Sequence, residues 1–217
     1  MFRKDNEMVL QVLKVISEMI ESRKFDDDDE LTSYTQMSIE EFSEIYEQSI
    51  INGLSFGPIN HSIIDDSKLV IKIIMSNTKK ANIREICESY IKEYDSDIKI
   101  IIIMKDKITT NITKEINQDK YKNVEVFQVK NLLVNITKHH LQPKFDIILP
   151  NEEEYVIKQF VSVKLTPGVI NQFKSKLPKI IKDDPVARFY GLRTGNLLKI
   201  TRMNEQSGKY IMFRCCA

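Results

Sequence analysis

The segment Ile98-Lys99-Ile100-Ile101-Ile102-Ile103-Met104 constrains this chain more than any other. β-Branched residues lose side-chain freedom in a helix and pack well on a pleated surface, so the segment reads as a strand. A strand that is apolar on both faces must be covered on both, as in the centre of a sheet with helices above and below it. Its purely apolar part, Ile100 to Met104, is far short of the roughly 20 residues a membrane span needs.

The flanking sequence supplies neighbours for such a strand. Leu69 to Met75 is rich in β-branched residues and reads as a second strand. Asn82 to Ile91 is an amphipathic helix with Ile83, Ile86, Cys87, Tyr90 and Ile91 on its buried side. A short helix fits Thr110 to Ile116, and Val124 to Val129 with Leu132 to Ile136 reads as further strand. Strand, helix, strand, helix, strand predicts an α/β domain with a partly parallel sheet. Upstream, Val9, Leu13, Ile16 and Ile20, with Val12 and Met19 beside them, form the apolar stripe of a long helix. Asp26-Asp27-Asp28-Asp29-Glu30 reads as a solvated loop rather than a metal cage. Ser38 and Glu41 have the spacing of a capping box that opens a further helix.

At 217 residues the chain suits one large domain or two small ones. With 32 Lys+Arg against 31 Asp+Glu, it is neither a uniformly basic coat protein nor an acidic tail. A 42% hydrophobic content fits an ordered globular chain, and six Gly and six Pro exclude a linker-rich or fibrous one. The start Met1-Phe2-Arg3-Lys4-Asp5 lacks the apolar stretch of a signal peptide, so an intracellular protein is expected. Cys87, Cys215 and Cys216 fit reduced thiols, because adjacent cysteines are not readily bridged by normal disulfide geometry.

The balanced charge conceals a split. From His139 onward there are 13 Lys+Arg and 7 Asp+Glu, whereas the preceding residues hold 19 and 24. Opposite signs on two sides of one point imply two surfaces with different neighbours. The point itself, Lys138-His139-His140-Leu141-Gln142-Pro143, carries a proline that resists continuing either element. The expected domains are 1–138 and 139–217. Within the second, Asp184 is suited to cap a short helix, Pro185 to its first position and Gly191 to its left-handed stop. Leu197 to Arg202 and Lys209 to Arg214 then read as a terminal hairpin, with Ser207-Gly208 in the turn.

Most enzyme signatures are missing, including phosphate-binding glycine loops, nucleophile elbows and zinc-ligand spacings. No cofactor or metal is implied. His61, His139 and His140 are the only imidazoles. Adjacent His139 and His140 would point to opposite faces of a strand, so they read as a polar pair in the connection. One enzymatic alternative is a metal-dependent nuclease-like site, with Asp95 or Asp97 as metal ligand and Lys99 steadying the attacking water. Ten basic residues, Lys174, Lys176, Lys179, Lys182, Arg188, Arg193, Lys199, Arg202, Lys209 and Arg214, would suit a phosphate-binding face or carboxylates across a protein interface.

Leu177-Pro178-Lys179-Ile180, Asp184-Pro185-Val186-Ala187-Arg188-Phe189-Tyr190-Gly191-Leu192-Arg193 and Leu198-Lys199-Ile200 closely resemble RNA polymerase subunit 5, whose C-terminal part alone makes up the short archaeal form. Ser207-Gly208-Lys209-Tyr210 with Phe213-Arg214 is similar to the family's ending, and Leu133 to Thr137 with His139, Leu141 and Pro143 to its interdomain strand and connection. Ile39-Glu40-Glu41-Phe42 resembles an anchor of its N-terminal jaw. The resemblance implies an α/β N-terminal jaw domain with a partly parallel sheet, plus a small α+β C-terminal domain with a terminal β-hairpin. It further implies a non-catalytic, structural subunit of a multisubunit DNA-directed RNA polymerase. The C-terminal domain would dock on the largest subunit, beside other subunits, through Asp184, Pro185, Arg188, Tyr190, Arg193, Arg202, Tyr210 and Arg214. The jaw would lie beside downstream double-stranded DNA, contacted without sequence preference through Lys105, Lys107, Thr109 and Thr110. Here Ile108-Thr109-Thr110 lacks the proline that often follows the threonine in the family. Heavy use of Ile, Asn and Lys suits an AT-rich genome, of a protist or of a large DNA virus. The expected location is the nucleus for a cellular chain, and the host cytoplasm or virion for a viral one.

Overall fold

The isoleucine segment forms β3 (Lys99–Met104), which runs parallel to β2 (Lys68–Ile74) on one side and β4 (Val124–Gln128) on the other. The protein is described here from a computed structural model covering residues 2–49, 53–63, 67–75, 80–94, 97–204 and 208–217. An antiparallel strand, β1 (Leu54–Asn60), completes the sheet in the order β1-β2-β3-β4. Residues Met1–Val134 and Asn135–Ala217 make two compact units. The first is an α/β unit with a mixed sheet, and the second holds helices and a sheet that ends in a β-hairpin.

In the first unit, strand alternation sends Val70, Ile100, Ile102, Met104, Val124 and Val126 to one face. There they bury Ile83 and Cys87 of α4 (Lys80–Tyr94) and Ile112 of α5 (Thr110–Ile116). Leu69, Ile71, Ile73, Ile101, Ile103 and Phe127 occupy the opposite face and are equally buried. That side belongs to the long helix α1 (Phe2–Ser22), whose two ends are tied to the sheet. Lys105, just past β3, meets Asp5 at 2.8 Å. At the other end Arg23 donates to both oxygens of Glu125 on β4, at 2.9 and 2.8 Å. The apolar stripe from Val9 to Ile20 is buried throughout, as its spacing predicts.

The acidic run departs from the expected loop. Only Asp26 to Asp28 are non-helical, and Asp28 caps α2 (Asp29–Gln36) by accepting from the Leu31 N–H at 2.8 Å. Carboxylates in a first helical turn are favoured by the unpaired N–H groups there, so the run is a helix start. The Ser38 capping box is present at α3 (Ile39–Ser49), with the Ser38 N–H donating to Glu41 Oε2 at 2.9 Å. Tyr34 of α2 packs edge-on against Phe42 of α3 and Phe56 of β1.

The expected strand over Leu132 to Ile136 is also corrected. The β3–β4 ladder ends at Met104↔Gln128, so the chain beyond has no partner to pair with. It forms 3₁₀ turns at Val129–Leu132 and Ile136–Lys138, burying Val129 and Leu132 three residues apart. Asn135 Oδ1 accepts from the Thr137 N–H at 2.9 Å and starts the second turn.

In the second unit the sheet order is β5-β7-β8-β6, from β5 (Lys144–Ile148), β6 (Lys179–Ile180), β7 (Leu197–Asn204) and β8 (Gly208–Cys216). One face carries Leu198, Ile200 and Cys216 against Ala187 of α8 (Pro185–Phe189) and Leu192. The other carries Leu197 and Cys215 against α6 (Pro150–Lys158) and α7 (Pro167–Lys176), through Ile157, Ile170 and Phe173. Cys215 and Cys216 therefore enter two separate cores, and all three cysteines are free thiols. The hairpin is longer than its sequence signals indicate, since Met203 and Asn204 continue β7. Ser207 lies outside the described residues.

Candidate functional site

Two surfaces carry the residues singled out by the sequence. The first is the segment after β3. Parallel strands place their carboxyl ends together, and such ends are where open α/β sheets bind ligands. Lys105 is half-exposed and engaged with Asp5, while Lys107 is exposed. Thr109 is the N-cap of α5, its Oγ1 accepting from the Ile112 N–H at 3.5 Å, and Thr110 is the helix's exposed first residue. The four residues share one surface segment, but Lys105 and Thr109 also have structural duties.

The second surface is the α8 side of the C-terminal sheet. Asp184 accepts from the Val186 N–H at 2.8 Å, Pro185 occupies the first helical position, and Gly191 follows with φ +63°. Every expected element of this helix is present. Arg188 and Tyr190 are half-buried, and the Tyr190 hydroxyl donates to the Phe145 carbonyl at 3.5 Å. Burial pushes the Tyr190 phenol up from its ordinary value. Arg193 is exposed in the loop that follows, its N–H donating to Asn196 Oδ1 at 2.6 Å.

On the hairpin, Arg202 stands directly opposite Tyr210, and Arg214 opposite Leu198. Partners in an antiparallel pair share a face, so these three residues lie on the side of Leu198 and Ile200, which α8 covers. The fold thus brings three of the eight candidate docking residues to the sheet face that α8 packs on, while Asp184, Pro185, Arg188 and Tyr190 lie on or beside α8 itself. Arg214 stands out among them. Its Nε is buried with no hydrogen-bond partner, and its Nη1 reaches the Lys179 carbonyl only at 3.5 Å.

The nuclease-like alternative finds little support. Asp97 is exposed in the turn before β3, and Lys99 lays its ammonium 5.0 Å from the centre of the Phe25 ring. Asp95 lies outside the described residues. Among the described residues no three His, Cys, Asp or Glu gather as a metal-binding set. No described helix is long and apolar enough to cross a membrane. His139 and His140 are exposed in the connection, their rings 4.5 Å apart.

Sequence reasoning missed one feature of the second surface. β6 pairs with only Cys215 and Cys216, so among the described residues no strand covers the rest of the outer edge of β8. No local pattern signals it, because which strand edge is left unpaired is a property of the whole sheet.

The C-terminal unit thus combines a capped short helix, α8, with a hairpin whose charged residues are all basic among those described. The pattern of the RNA polymerase Rpb5 C-terminal domain matches residues 134–216. The chain is 33% identical over 157 residues to subunit rpabc1 of DNA-directed RNA polymerases I, II and III of Dictyostelium discoideum, covering 70% of this chain and 74% of that one. It is 26% identical over 198 residues to subunit 5B of the Arabidopsis thaliana DNA-directed RNA polymerases IV and V, covering 91% and 84%. A putative DNA-directed RNA polymerase subunit, 454R of Invertebrate iridescent virus 6, is 38% identical over 105 residues, covering 47% and 54%. The chain belongs to the RNA polymerase subunit 5 family.

Proposed function

We propose that this chain is a non-catalytic, structural subunit of a multisubunit DNA-directed RNA polymerase. Residues 135–217 dock on the largest subunit, and the N-terminal unit lies as a jaw beside downstream duplex DNA. The observation that carries the reading is the similarity to polymerase subunits along most of the chain, joined to a C-terminal unit that sets Arg202, Tyr210 and Arg214 on the sheet face α8 packs on. A net-basic C-terminal half suits a partner with acidic patches. A net-acidic N-terminal half is a poor independent DNA binder, so contact there is to phosphate and is positioned by the assembly. The subunit works where its polymerase works, in a nucleus or in a viral setting, a reading that suits relatives from both a eukaryote and a virus.

Affinity purification of the tagged chain from its native extract tests this. Stoichiometric recovery of a polymerase largest subunit and co-sedimentation with transcribing activity is the expected result. A chain that sediments alone overturns the reading.

A further inference from the structure

We infer that the open outer edge of β8 is a strand-addition site, which accepts an extended acidic and apolar segment of another polymerase subunit. The inference rests on the proposed docking role and specifies its chemistry.

The register fixes which groups are available. The Cys216 N–H donates to the Asn196 carbonyl on the β7 side, whereas the Cys215 N–H donates to Pro178 on the β6 side. Alternation along an antiparallel strand then turns the N–H and C=O of Lys209, Ile211 and Phe213 to the outer edge. β6 stops after pairing with Cys215 and Cys216, so among the described residues no strand covers those three. A row of unpaired backbone groups is a template for another chain, and natural proteins usually blunt it with charge, proline or a bulge. Here Lys209 is the one charge on that row, the strand holds no proline, and the hairpin ladder runs without a register shift. Ile211 and Tyr210 are 42% and 54% exposed beside the row.

The side chains define the occupant. The described residues of β7 and β8 carry Lys199, Arg202, Lys209 and Arg214 and no acid. A strand laid along the edge would run past Tyr210, Met212 and Arg214 on one face, and past Lys209, Ile211 and Phe213 on the other. Arg214, partly buried with its Nη1 at the limit of hydrogen-bond reach from the Lys179 carbonyl, gives that face a cation for a carboxylate of the added strand. Apolar residues fit against Ile211 and Phe213, which continues into Phe160 with ring centres 5.4 Å apart. Main-chain bonds to the edge give affinity, and the flanking side chains select the sequence.

Residue-resolved hydrogen exchange on the wild-type chain, free and within its polymerase, tests the site. In the free chain the amides of Lys209, Ile211 and Phe213 exchange fast, while those of Tyr210 and Met212, bonded to β7, are protected. In the assembly the three edge amides slow by at least about tenfold. Edge amides that stay fast in a chain that does co-purify with polymerase overturn the edge site and leave the docking reading intact. Failure to co-purify at all overturns both. Ile211→Pro removes an edge donor without touching the β7 ladder, and Arg214→Gln removes the charge. Each is expected to weaken recovery of the assembly about tenfold or more with the melting of the free chain little changed, and wild-type recovery in both variants overturns the site. A free chain that sediments as an edge-paired dimer does so too, since the occupant would then be a second copy.

Discussion

Arg23 is held almost out of water with its guanidinium on both oxygens of Glu125, whose side chain is one-third exposed. Breaking such a pair from the buried side strands the remaining charge. Arg23→Leu is expected to lower stability by about 2–3 kcal/mol in denaturant unfolding, and Arg23→Leu with Glu125→Leu to recover part of the loss. His61 packs edge-on against Phe25 at 4.8 Å, with Lys99 and Asp26 nearby. Burial, and then the positive charge of Lys99, hold its imidazole below the ordinary value of 6.5, while Asp26 opposes them. The folded state therefore disfavours the protonated ring. Stability from this group is complete above the unfolded value and is lost as pH falls from there through the lowered folded value. A melting series from pH 7 downward is expected to decline less steeply for His61→Gln than for the wild type. Cys87 is pushed up to about 11 by burial, so thiol reagents at pH 8 are expected to label it only when the chain unfolds. Gly53 has φ +67°, and a Cβ there would collide with the Ile73 carbonyl oxygen. Gly53→Ala is expected to cost about 2 kcal/mol in the same unfolding measurement.

Thr109 separates two roles at the level of the helix. As the N-cap of α5 its hydroxyl satisfies a backbone N–H, and Thr109→Ala is expected to cost about 1 kcal/mol while Thr109→Asp restores stability. If the residue also meets DNA, Thr109→Asp weakens DNA engagement in the assembled polymerase despite normal melting, because a carboxylate repels phosphate. The elements themselves differ in how openly the sequence announces them. β2, β3, α4, α5 and α8 follow from periodicity and capping residues, and their observed bounds fall close to those expected. β1 was hidden by Gly57 and Pro58, since proline within a strand is tolerated at an edge, and an edge position is a property of the whole sheet. α2 was hidden by its own acids, which read as solvated until Asp28 is seen to cap them. The missing strand after β4 depended on where the β3 ladder ran out, which no local pattern encodes. The candidate docking residues could be named one by one from the sequence, but the common face of Arg202, Tyr210 and Arg214 required the β7–β8 register. The orphaned Nε of Arg214 and the open edge of β8 were visible only in three dimensions.

At the scale of the molecule, charge separates the two units more sharply than fold does. The half from His139 on is net positive and the preceding part net negative. The isolated chain is accordingly expected to bind duplex DNA weakly, without sequence preference, and with affinity that falls steeply as salt rises. Fluorescence anisotropy against unrelated duplexes measures this, and tight, sequence-selective binding would contradict the jaw as a phosphate-contacting surface.

The four consecutive isoleucines of β3 have a further consequence. Each is interchangeable with the next, so shifting the strand by one position, about 3.3 Å, would swap Ile for Ile and leave both greasy faces intact. Nothing in the middle of the strand tells it where to stop. The two lysines that bracket it do: Lys99 is held at the Phe25 ring and Lys105 at Asp5, so a slide in either direction pulls an ammonium off its berth. The alignment of the whole N-terminal sheet is thus policed from its rims, and the helix that supplies one of those berths acts as a ruler for the strand beneath it.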